Sequence, residues 1–229
     1  MASQSTATKP VKNVVILISG RGSNMEVFLE ASRQGLLDGT IVRVISNRPD
    51  AQGIDTAKRR GIATAVIDHK AFDTREAFDA ALAAEVASAD PDVVVLAGFM
   101  RILTPVFIDR FLGKLVNIHP SLLPKYAGLN THQRAIDAGD AEAGATVHYV
   151  TNELDGGPAI LQARVKIDDL DTAQTLASKV LEVEHRIFPE AVNWHLQGRV
   201  LHAELGAYLD GELLPPGGVS WEPYSASSA

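Results

Sequence analysis

Short apolar runs alternate with segments of helical periodicity along the first half of the chain, and this alternation constrains the fold more than any other feature. A run such as VVILIS at 14–19, followed by apolar residues three or four positions apart, is typical of a buried parallel strand and its crossover helix. The sequence therefore predicts an α/β domain on a mostly parallel, doubly wound sheet. Its strands are predicted at 14–19, 41–46, 63–68, 93–97 and 115–118, and its helices at 23–33, 55–60, 73–87 and from Thr104-Pro105 onward.

The pattern changes after residue 119. Two apolar segments flank an ELDGGP turn and are predicted as an antiparallel pair of strands. We expect one domain in two halves, with a disordered leader before it and a flexible tail after it. The predicted boundaries are the leader at 1–11, the halves at 12–112 and 113–214, a loop at 120–131, strands at 146–151 and 160–167, a long helix at 172–197 with a kink at Pro189, a hairpin at 199–214 and the tail at 215–229.

Charge and composition narrow the classes of function. The net charge of -7 disfavours nucleic acid as the main partner, because binding a phosphate backbone requires a basic face. The chain has no cysteine, so disulfides, thiolate catalysis and cysteine-ligated metals are excluded. There is no signal-peptide pattern and no apolar run near the roughly 18 residues of a membrane span, so we expect a cytoplasmic protein with no membrane partner.

The segment SGRGSN at 19–24 joins the first predicted strand to a helix N-terminus. Glycines allow a ligand to approach the backbone, and free helix N–H groups attract an anion, which suits a phosphate. A dinucleotide-binding motif would have a third glycine where Met25 stands, and no Walker lysine follows. The alternative, that Ser23 and Glu26 form only a helix capping box, stays open at this point.

Asn117, His119 and Asp155 are the candidates for polar acyl-type chemistry. Alternation places Asn117 and His119 on one face at the carboxyl end of the fifth strand, where open α/β sheets bind ligands. Asparagine and protonated histidine can donate hydrogen bonds to an oxyanion, and an aspartate can keep the histidine charged. Since none of the three is a good covalent nucleophile here, we expect direct transfer. The alternatives are a hydrogen-bonded strand-end histidine and an ordinary Asp-Gly hairpin turn.

Four motifs, spread in order over most of the chain, resemble those of the phosphoribosylglycinamide formyltransferase family. The resemblance implies a Rossmann-like formyltransferase fold and transfer of the formyl group of 10-formyltetrahydrofolate to the glycine amine of glycinamide ribonucleotide, in de novo purine (IMP) biosynthesis. Residues 12–112 would then be the phosphate-binding half and 113–214 the catalytic and folate half. The motifs are SGxGSN at 19–24, AGFMRIL at 97–103, NIHPSLLPKY at 117–126 and ELDGGP at 153–158.

The resemblance also implies the residues of the site. The catalytic residues would be Asn117, His119 and Asp155. The substrate phosphate and ribose would be bound by Gly22, Ser23, Asn24 and Glu184, with Glu184 holding the ribose hydroxyls. The folate would be bound by Arg75, Met100, Arg101, Ile102, Leu103 and His148, together with Asn117 and Asp155; backbone groups near Met100 and Leu103 would meet the pterin, and Arg75 would pair with the glutamate tail. Leu181 replaces a polar residue that some relatives direct at the phosphate, and Thr146 replaces a serine.

The partners expected from this resemblance are small molecules only, with 10-formyltetrahydrofolate as cosubstrate, no metal, and a monomer or homodimer as the assembly. No HExxH-type zinc pattern is present among the histidines. The competing functions are a formyltetrahydrofolate hydrolase, a methionyl-tRNA formyltransferase, a non-catalytic phosphate sensor and an NAD-linked dehydrogenase. Acidic charge disfavours the tRNA enzyme, and the phosphate-type loop disfavours simple hydrolysis.

Overall fold

The computed structural model describes residues 11–222, and within them the strands form an eight-stranded and a three-stranded sheet. The strands are β1 (Asn13–Ile18), β2 (Thr40–Ser46), β3 (Thr64–Val66), β4 (Val93–Leu96), β5 (Leu115–His119), β6 (Glu142–Tyr149), β7 (Ala159–Lys166), β8 (Val200–Ala203), β9 (Gly206–Leu209), β10 (Glu212–Leu213) and β11 (Val219–Ser220). The α-helices are α1 (Ser23–Arg33), α2 (Gln52–Arg59), α3 (Arg75–Ala87), α4 (Pro105–Ile108), α5 (Thr131–Asp137) and α6 (Ala173–Leu196).

The large sheet has the order β3-β2-β1-β4-β5-β6-β7-β11. Strands β1 to β5 are parallel, and β6 pairs antiparallel with both β5 and β7. The central strands β1 and β4 are apolar at nearly every position because both faces of the sheet are covered there. The predicted fold class, a doubly wound parallel sheet with an antiparallel part, is confirmed.

Alternate residues of β1 face two separate cores. Val14, Ile16 and Ile18 pack in the core that contains α1, α2 and α6. Val15 and Leu17 pack in the core that contains α3 and α4. Helices therefore cover both faces, and the carboxyl edge of the parallel strands stays open between them.

Several helix boundaries differ from the predictions at their caps. Helix α3 begins at Arg75, because the Thr74 side chain accepts a hydrogen bond from the Ala77 amide at 3.1 Å, whereas the prediction placed the cap at Asp73. Helix α5 was not predicted, since its short sequence THQRAID has too few apolar residues to show a helical period. Helix α6 continues through Pro189.

The C-terminal part is a three-stranded meander where one hairpin was predicted. Strand β9 pairs with both β8 and β10, so a second turn lies at residues 204–205 in addition to the predicted turn at Asp210-Gly211. The described part of the expected tail corrects that prediction too, because β11 adds to the sheet beside β7 and the Trp221 indole donates to Glu190. Residues 1–10 of the leader and 223–229 of the tail lie outside the described residues.

No helix in the described part of the chain is both long enough and apolar enough to cross a membrane.

Candidate active site

Three chain segments meet at the carboxyl edge of the parallel strands. Leu17 of β1, Leu96 of β4 and Asn117 of β5 lie side by side in the sheet register. With neighbouring strands about 4.8 Å apart, β1 and β5 are separated by about 10 Å at this level. The glycine segment 20–24 follows β1, and residues 98–104 follow β4. They are called the phosphate loop and the folate loop, after the ligands that the resemblance predicts for them.

His119 ends β5 and faces an acceptor at each ring nitrogen. Its Nδ1 lies 3.5 Å from Oδ2 of Asp155, and its Nε2 lies 2.9 Å from the carbonyl oxygen of Tyr126. Because a carbonyl oxygen can only accept, Nε2 donates to Tyr126, while the carboxylate of Asp155 lies within ion-pair distance of Nδ1. The side chains of His119 and Asp155 are 8% and 11% exposed, so solvent screens the pair weakly.

The turn that carries Asp155 is specified by its glycines. Asp155 has a left-handed backbone, with φ of 50°, and its Oδ2 also accepts a hydrogen bond from the Gly128 amide at 2.8 Å. A Cβ at Gly157 would lie 1.8 Å from the carbonyl oxygen of Tyr149, so only glycine fits at that position. The Asp-Gly-Gly sequence is therefore a tight turn whose geometry aims a carboxylate at His119.

Asn117 is oriented by a buried histidine. The Nδ2 of Asn117 lies 3.1 Å from Nε2 of His148, whose Nδ1 lies 2.9 Å from the carbonyl oxygen of Tyr149. Burial is the main cause that lowers the pKa of His148 to about 4, so this ring is neutral at pH 7. With Nδ1 donating to the carbonyl, Nε2 accepts from Asn117. The amide of Asn117 keeps a second N–H for another acceptor.

The phosphate loop begins α1 without a side-chain cap. Gly22 occupies the N-cap position in a left-handed conformation, with φ of 79°, so the capping box between Ser23 and Glu26 that was considered from the sequence is not formed. The first N–H groups of α1 therefore have no partner within the helix. A glycine at the cap leaves these donors to a ligand, which strengthens the interpretation as an anion site.

Asn24 and Glu184 form a buried polar pair beside the phosphate loop. Nδ2 of Asn24 donates to Oε2 of Glu184 at 2.9 Å, although the two residues are 160 positions apart. Burial raises the pKa of Glu184, and the hydrogen bond from Asn24 opposes this effect. Oδ1 of Asn24 is buried with no hydrogen-bond partner. An unpaired buried carbonyl is costly, which points to a ligand at this place.

The folate loop exposes apolar side chains after β4, the strand that pairs with β5. Met100 and Ile102 are 71% and 59% exposed, whereas Leu103 is buried. Arg75 of α3 donates to the carbonyl oxygen of Ile102 at 2.6 Å, and the guanidinium of Arg101 lies 5.1 Å from the centre of the Phe78 ring. The loop is thus held from α3 while two large side chains point away from the protein.

The predicted site residues thus form four local clusters joined by direct contacts: His119 with Asp155, Asn117 with His148, Asn24 with Glu184, and Arg75 with Ile102. Sequence analysis missed the carbonyl of Tyr126 and the amide of Gly128, because backbone groups are present at every position and leave no pattern. Within residues 11–222, no group of three or more histidine, aspartate or glutamate side chains could hold a metal ion. A metal-free reaction remains a prediction.

Comparison with known proteins gives a consistent result. The family model described as "Formyl transferase" matches residues 12–192. The phosphoribosylglycinamide formyltransferase of Escherichia coli (strain K12) is 49% identical over 206 residues, covering 90% of this chain and 97% of that relative. The solved phosphoribosylglycinamide formyltransferase from Coxiella burnetii is 43% identical, with a TM-score of 0.88 over 93% of this chain and 100% of that one. Glycinamide ribonucleotide transformylase 1 from Symbiobacterium toebii is 39% identical, with a TM-score of 0.84 over 87% and 94% of the two chains.

Proposed function

The chain belongs to the formyl transferase family, and from that premise we propose how its clusters of side chains carry out the reaction. It is a phosphoribosylglycinamide formyltransferase of purine biosynthesis, as the resemblance noted in the sequence implied. The donor is 10-formyltetrahydrofolate, and the acceptor is the glycine amine of N1-(5-phospho-D-ribosyl)glycinamide. The observation that carries the proposal is the pairing of His119 with Asp155 at 3.5 Å, at the end of the strand that also bears Asn117.

The chemistry is a direct transfer. The neutral amine attacks the formyl carbon, forming a C–N bond and a tetrahedral oxyanion. The free N–H of Asn117 and the imidazolium of His119 donate to that oxyanion. The bond from the formyl carbon to the folate nitrogen then breaks, and the amine proton passes to the leaving nitrogen. Asp155 balances the charge of His119 and assists the proton transfer through water, giving the N-formyl product and tetrahydrofolate.

One contact must change before His119 can act. Its Nε2 donates to the carbonyl oxygen of Tyr126 in this conformation. For the oxyanion to accept that N–H, the loop at 120–130 must withdraw the Tyr126 carbonyl. Substrate binding and loop movement are therefore coupled steps in the proposed reaction.

The acceptor is held by the phosphate loop and by Glu184. The uncapped N–H groups of α1 and the side chains of Ser23 and Asn24 bind the phosphate, and the carboxylate of Glu184 accepts from the ribose hydroxyls. Leu181 offers no hydrogen bond to the phosphate. Arg21 is exposed and lines the same groove as Ser23, so it supplies positive charge in place of the missing polar group.

The folate is held by the folate loop and its neighbours. Met100, Ile102 and Leu103 provide apolar contact and backbone groups for the pterin, and Arg101 flanks them. Arg75 uses one N–H on the carbonyl of Ile102, which leaves donors of its guanidinium for the glutamate tail. We place the reaction in the cytoplasm, with a monomer or homodimer acting on small molecules only.

The decisive experiment compares turnover of three alanine variants with a matched control. Losing one oxyanion donor typically costs about 3–4 kcal/mol, so N117A and H119A should each lower kcat by about 10²–10³ while staying folded. D155A removes the carboxylate that balances the charge of His119 and should lower kcat by at least about the same factor. D210A is the control, because Asp210 is also an aspartate with positive φ before a glycine, in a turn far from the site along the chain. Formation of tetrahydrofolate, measured with and without the ribonucleotide, gives the rates.

Near-normal turnover in H119A or D155A would overturn the assignment of the catalytic residues. Release of formate at the same rate without the ribonucleotide would instead favour the hydrolase. If D210A lost activity as severely as D155A, the loss would reflect a general requirement for such turns and not the carboxylate at His119.

A further inference from the structure

Ser19 is a buried polar residue to which the mechanism assigns no role. It is 4% exposed and follows directly on β1, immediately before Gly20 and the phosphate loop. A buried hydroxyl normally has a hydrogen-bond partner, because leaving it without one costs free energy. The partners of Ser19 therefore indicate what it does.

Two of the three hydrogen bonds described for Ser19 lead to the folate loop. Its Oγ accepts a hydrogen bond from the amide of Met100 at 2.7 Å, and its own amide donates to the carbonyl oxygen of Gly98 at 3.2 Å. The single hydroxyl hydrogen is donated to Oδ1 of Asn47 at 2.6 Å. Ser19 thus binds the folate loop at Gly98 and at Met100, the latter 81 residues further along the chain.

Asn47 is itself held, so the hydroxyl of Ser19 has one orientation. Asn47 is buried directly after β2. Its side-chain Nδ2 lies 3.2 Å from Nδ1 of His69, and its backbone carbonyl oxygen lies 2.8 Å from the same nitrogen. Because Oδ1 of Asn47 accepts from Ser19, the lone pairs of the serine oxygen remain directed at Met100. The network Asn47–Ser19–Met100 joins the ends of three neighbouring strands.

The other contacts that hold the folate loop come from a different element. Arg75 and Asp79 of α3 bind the carbonyl of Ile102 and the amide of Thr104, the latter at 2.5 Å. These contacts are remote from the phosphate loop. Of the contacts described for the folate loop, those of Ser19 come from a residue next to the phosphate loop, whereas those of Arg75 and Asp79 come from α3.

We propose that Ser19 is a positioning residue that couples the two substrate sites, so that ribonucleotide binding at the phosphate loop fixes the folate loop for the formyl donor. The inference rests on the proposed function. Ordering of the phosphate loop by a ligand restrains Ser19, and Ser19 restrains the backbone at Met100. The acceptor then raises the affinity for the folate, and by linkage the folate raises the affinity for the acceptor equally.

The test measures this coupling in a complex that cannot react. Tetrahydrofolate is titrated calorimetrically into the full chain with and without saturating glycinamide ribonucleotide. The wild type should bind the folate about 5–10-fold more tightly with the ribonucleotide present. S19A should bind the folate about equally tightly with and without the ribonucleotide, so that the ratio of the two affinities falls to about one. Its KM for 10-formyltetrahydrofolate should rise about fivefold, the cost of one hydrogen bond, with kcat little changed.

S46A is the matched control. Ser46 is fully buried at the end of β2, but its hydroxyl bonds only with backbone groups of Arg48 in its own turn, at 3.0 Å each. S46A should keep the wild-type coupling. S19C, which nearly keeps the size of the side chain and bonds weakly, should fall between the wild type and S19A, and it replaces S19A if that variant does not fold.

Coupling in S19A within twofold of the wild type, or equal loss of coupling in S46A, would overturn the role of Ser19. A wild type that turns over normally but binds the two ligands independently would also overturn it, while leaving the proposed function intact. A wild type that does not transfer formyl to the ribonucleotide would instead remove the proposed function.

Discussion

Among single residues, Glu184 carries the clearest conflict between stability and binding. Its carboxylate is buried beside Asn24, and burial raises its pKa. At neutral pH the ionised form is therefore disfavoured by the fold, and the stability cost grows as the pH rises through the raised pKa. A group held at such a cost is a candidate for ligand binding.

We expect E184Q to separate the two roles. A glutamine can accept from Nδ2 of Asn24 and donate to its unpaired Oδ1, so the unfolding free energy should rise by about 1 kcal/mol. The KM for the ribonucleotide should rise about tenfold, because an amide accepts hydroxyl hydrogen bonds more weakly than a carboxylate. Chemical denaturation and steady-state kinetics measure the two effects. E182Q, changed at an exposed position of the same helix, should alter neither; a destabilised E184Q would contradict the argument.

His148 should make the fold sensitive to acid. Its pKa is lowered from 6.5 to about 4, so the folded chain binds fewer protons than the unfolded chain between these values. Its contribution to stability is thus complete above pH 6.5 and is lost as the pH falls towards 4. A protonated His148 would also be unable to accept the hydrogen bond from Asn117.

We expect the unfolding free energy of H148Q to fall less steeply than that of the wild type as the pH is lowered. Between pH 7 and 4 the wild type should lose up to about 3 kcal/mol more unfolding free energy than H148Q, as measured by urea denaturation at each pH. H202Q is the control, since the pKa of His202 is also lowered by burial but that residue is only partly buried. It should flatten the profile much less. If the unfolding free energies of H148Q and the wild type fell in parallel with pH, His148 would not be the cause of the loss of stability in acid.

At the scale of elements, Asp140 is one of the residues that anchor the loop at 120–130, in addition to Asp155, which accepts from the Gly128 amide. Asp140 accepts from the hydroxyl of Tyr126 at 2.8 Å and pairs with Lys125 at 2.9 Å, and these two partners lower its pKa. The carbonyl of Tyr126, in turn, covers Nε2 of His119. Release of this anchor should therefore loosen the segment that must withdraw during the reaction.

We predict that D140A increases the exchange rate of the loop amides by about threefold or more, the effect expected for losing one or two exposed hydrogen bonds. Exchange in β6 should stay unchanged. Hydrogen exchange read by mass spectrometry over 121–130 and over β6 measures both. D137A is the control, because Asp137 of α5 accepts from Gln133 and has no described contact with the loop. Equal protection of the loop in D140A and the wild type would mean that other contacts hold it.

For the whole molecule, α6 joins the two predicted halves into one core. The helix belongs to the second half, yet its Phe188 packs edge-on against Phe28 of α1, with ring centroids 5.0 Å apart. Both rings are fully buried in the core that includes β1 and β4. The first half therefore cannot bury this face of its sheet without the second.

The chain should accordingly unfold in a single transition. F188A should lower the unfolding free energy by about 3–5 kcal/mol, the cost of removing a buried phenyl ring, without splitting the curve. Fluorescence reports on Trp194 in the second half and on Trp221, which follows β11 beside β7, and far-ultraviolet circular dichroism reports on the whole, so the two signals should coincide. L201A, at a residue 54% exposed, should change stability by less than about 0.5 kcal/mol. Separate transitions in F188A would mean that the halves fold independently.

The sequence by itself predicted the parallel strands and most of the helices, and it supplied the candidate residues of the site. Continuous apolar runs identified all five parallel strands to within two residues at each end, and α1 was predicted with its exact observed bounds, Ser23–Arg33. These features follow from local patterning, since a strand buried on both faces must be apolar throughout. The motifs likewise supplied Asn117, His119 and Asp155 as catalytic candidates, because a polar side chain at a strand end or in a glycine turn can be recognised from the sequence; their roles stay a prediction.

Only the tertiary structure decided how these residues are held. The pairing of Asn24 with Glu184, the neutral His148 behind Asn117, and the Tyr126 carbonyl on His119 each join segments whose proximity depends on strand order and register. The same holds for α5 and for β11, which are too short to have a period of their own; β11 forms by pairing with β7, and α5 packs through Thr131 and Ala135. Local patterns specify which groups are available, whereas long-range packing specifies which of them meet.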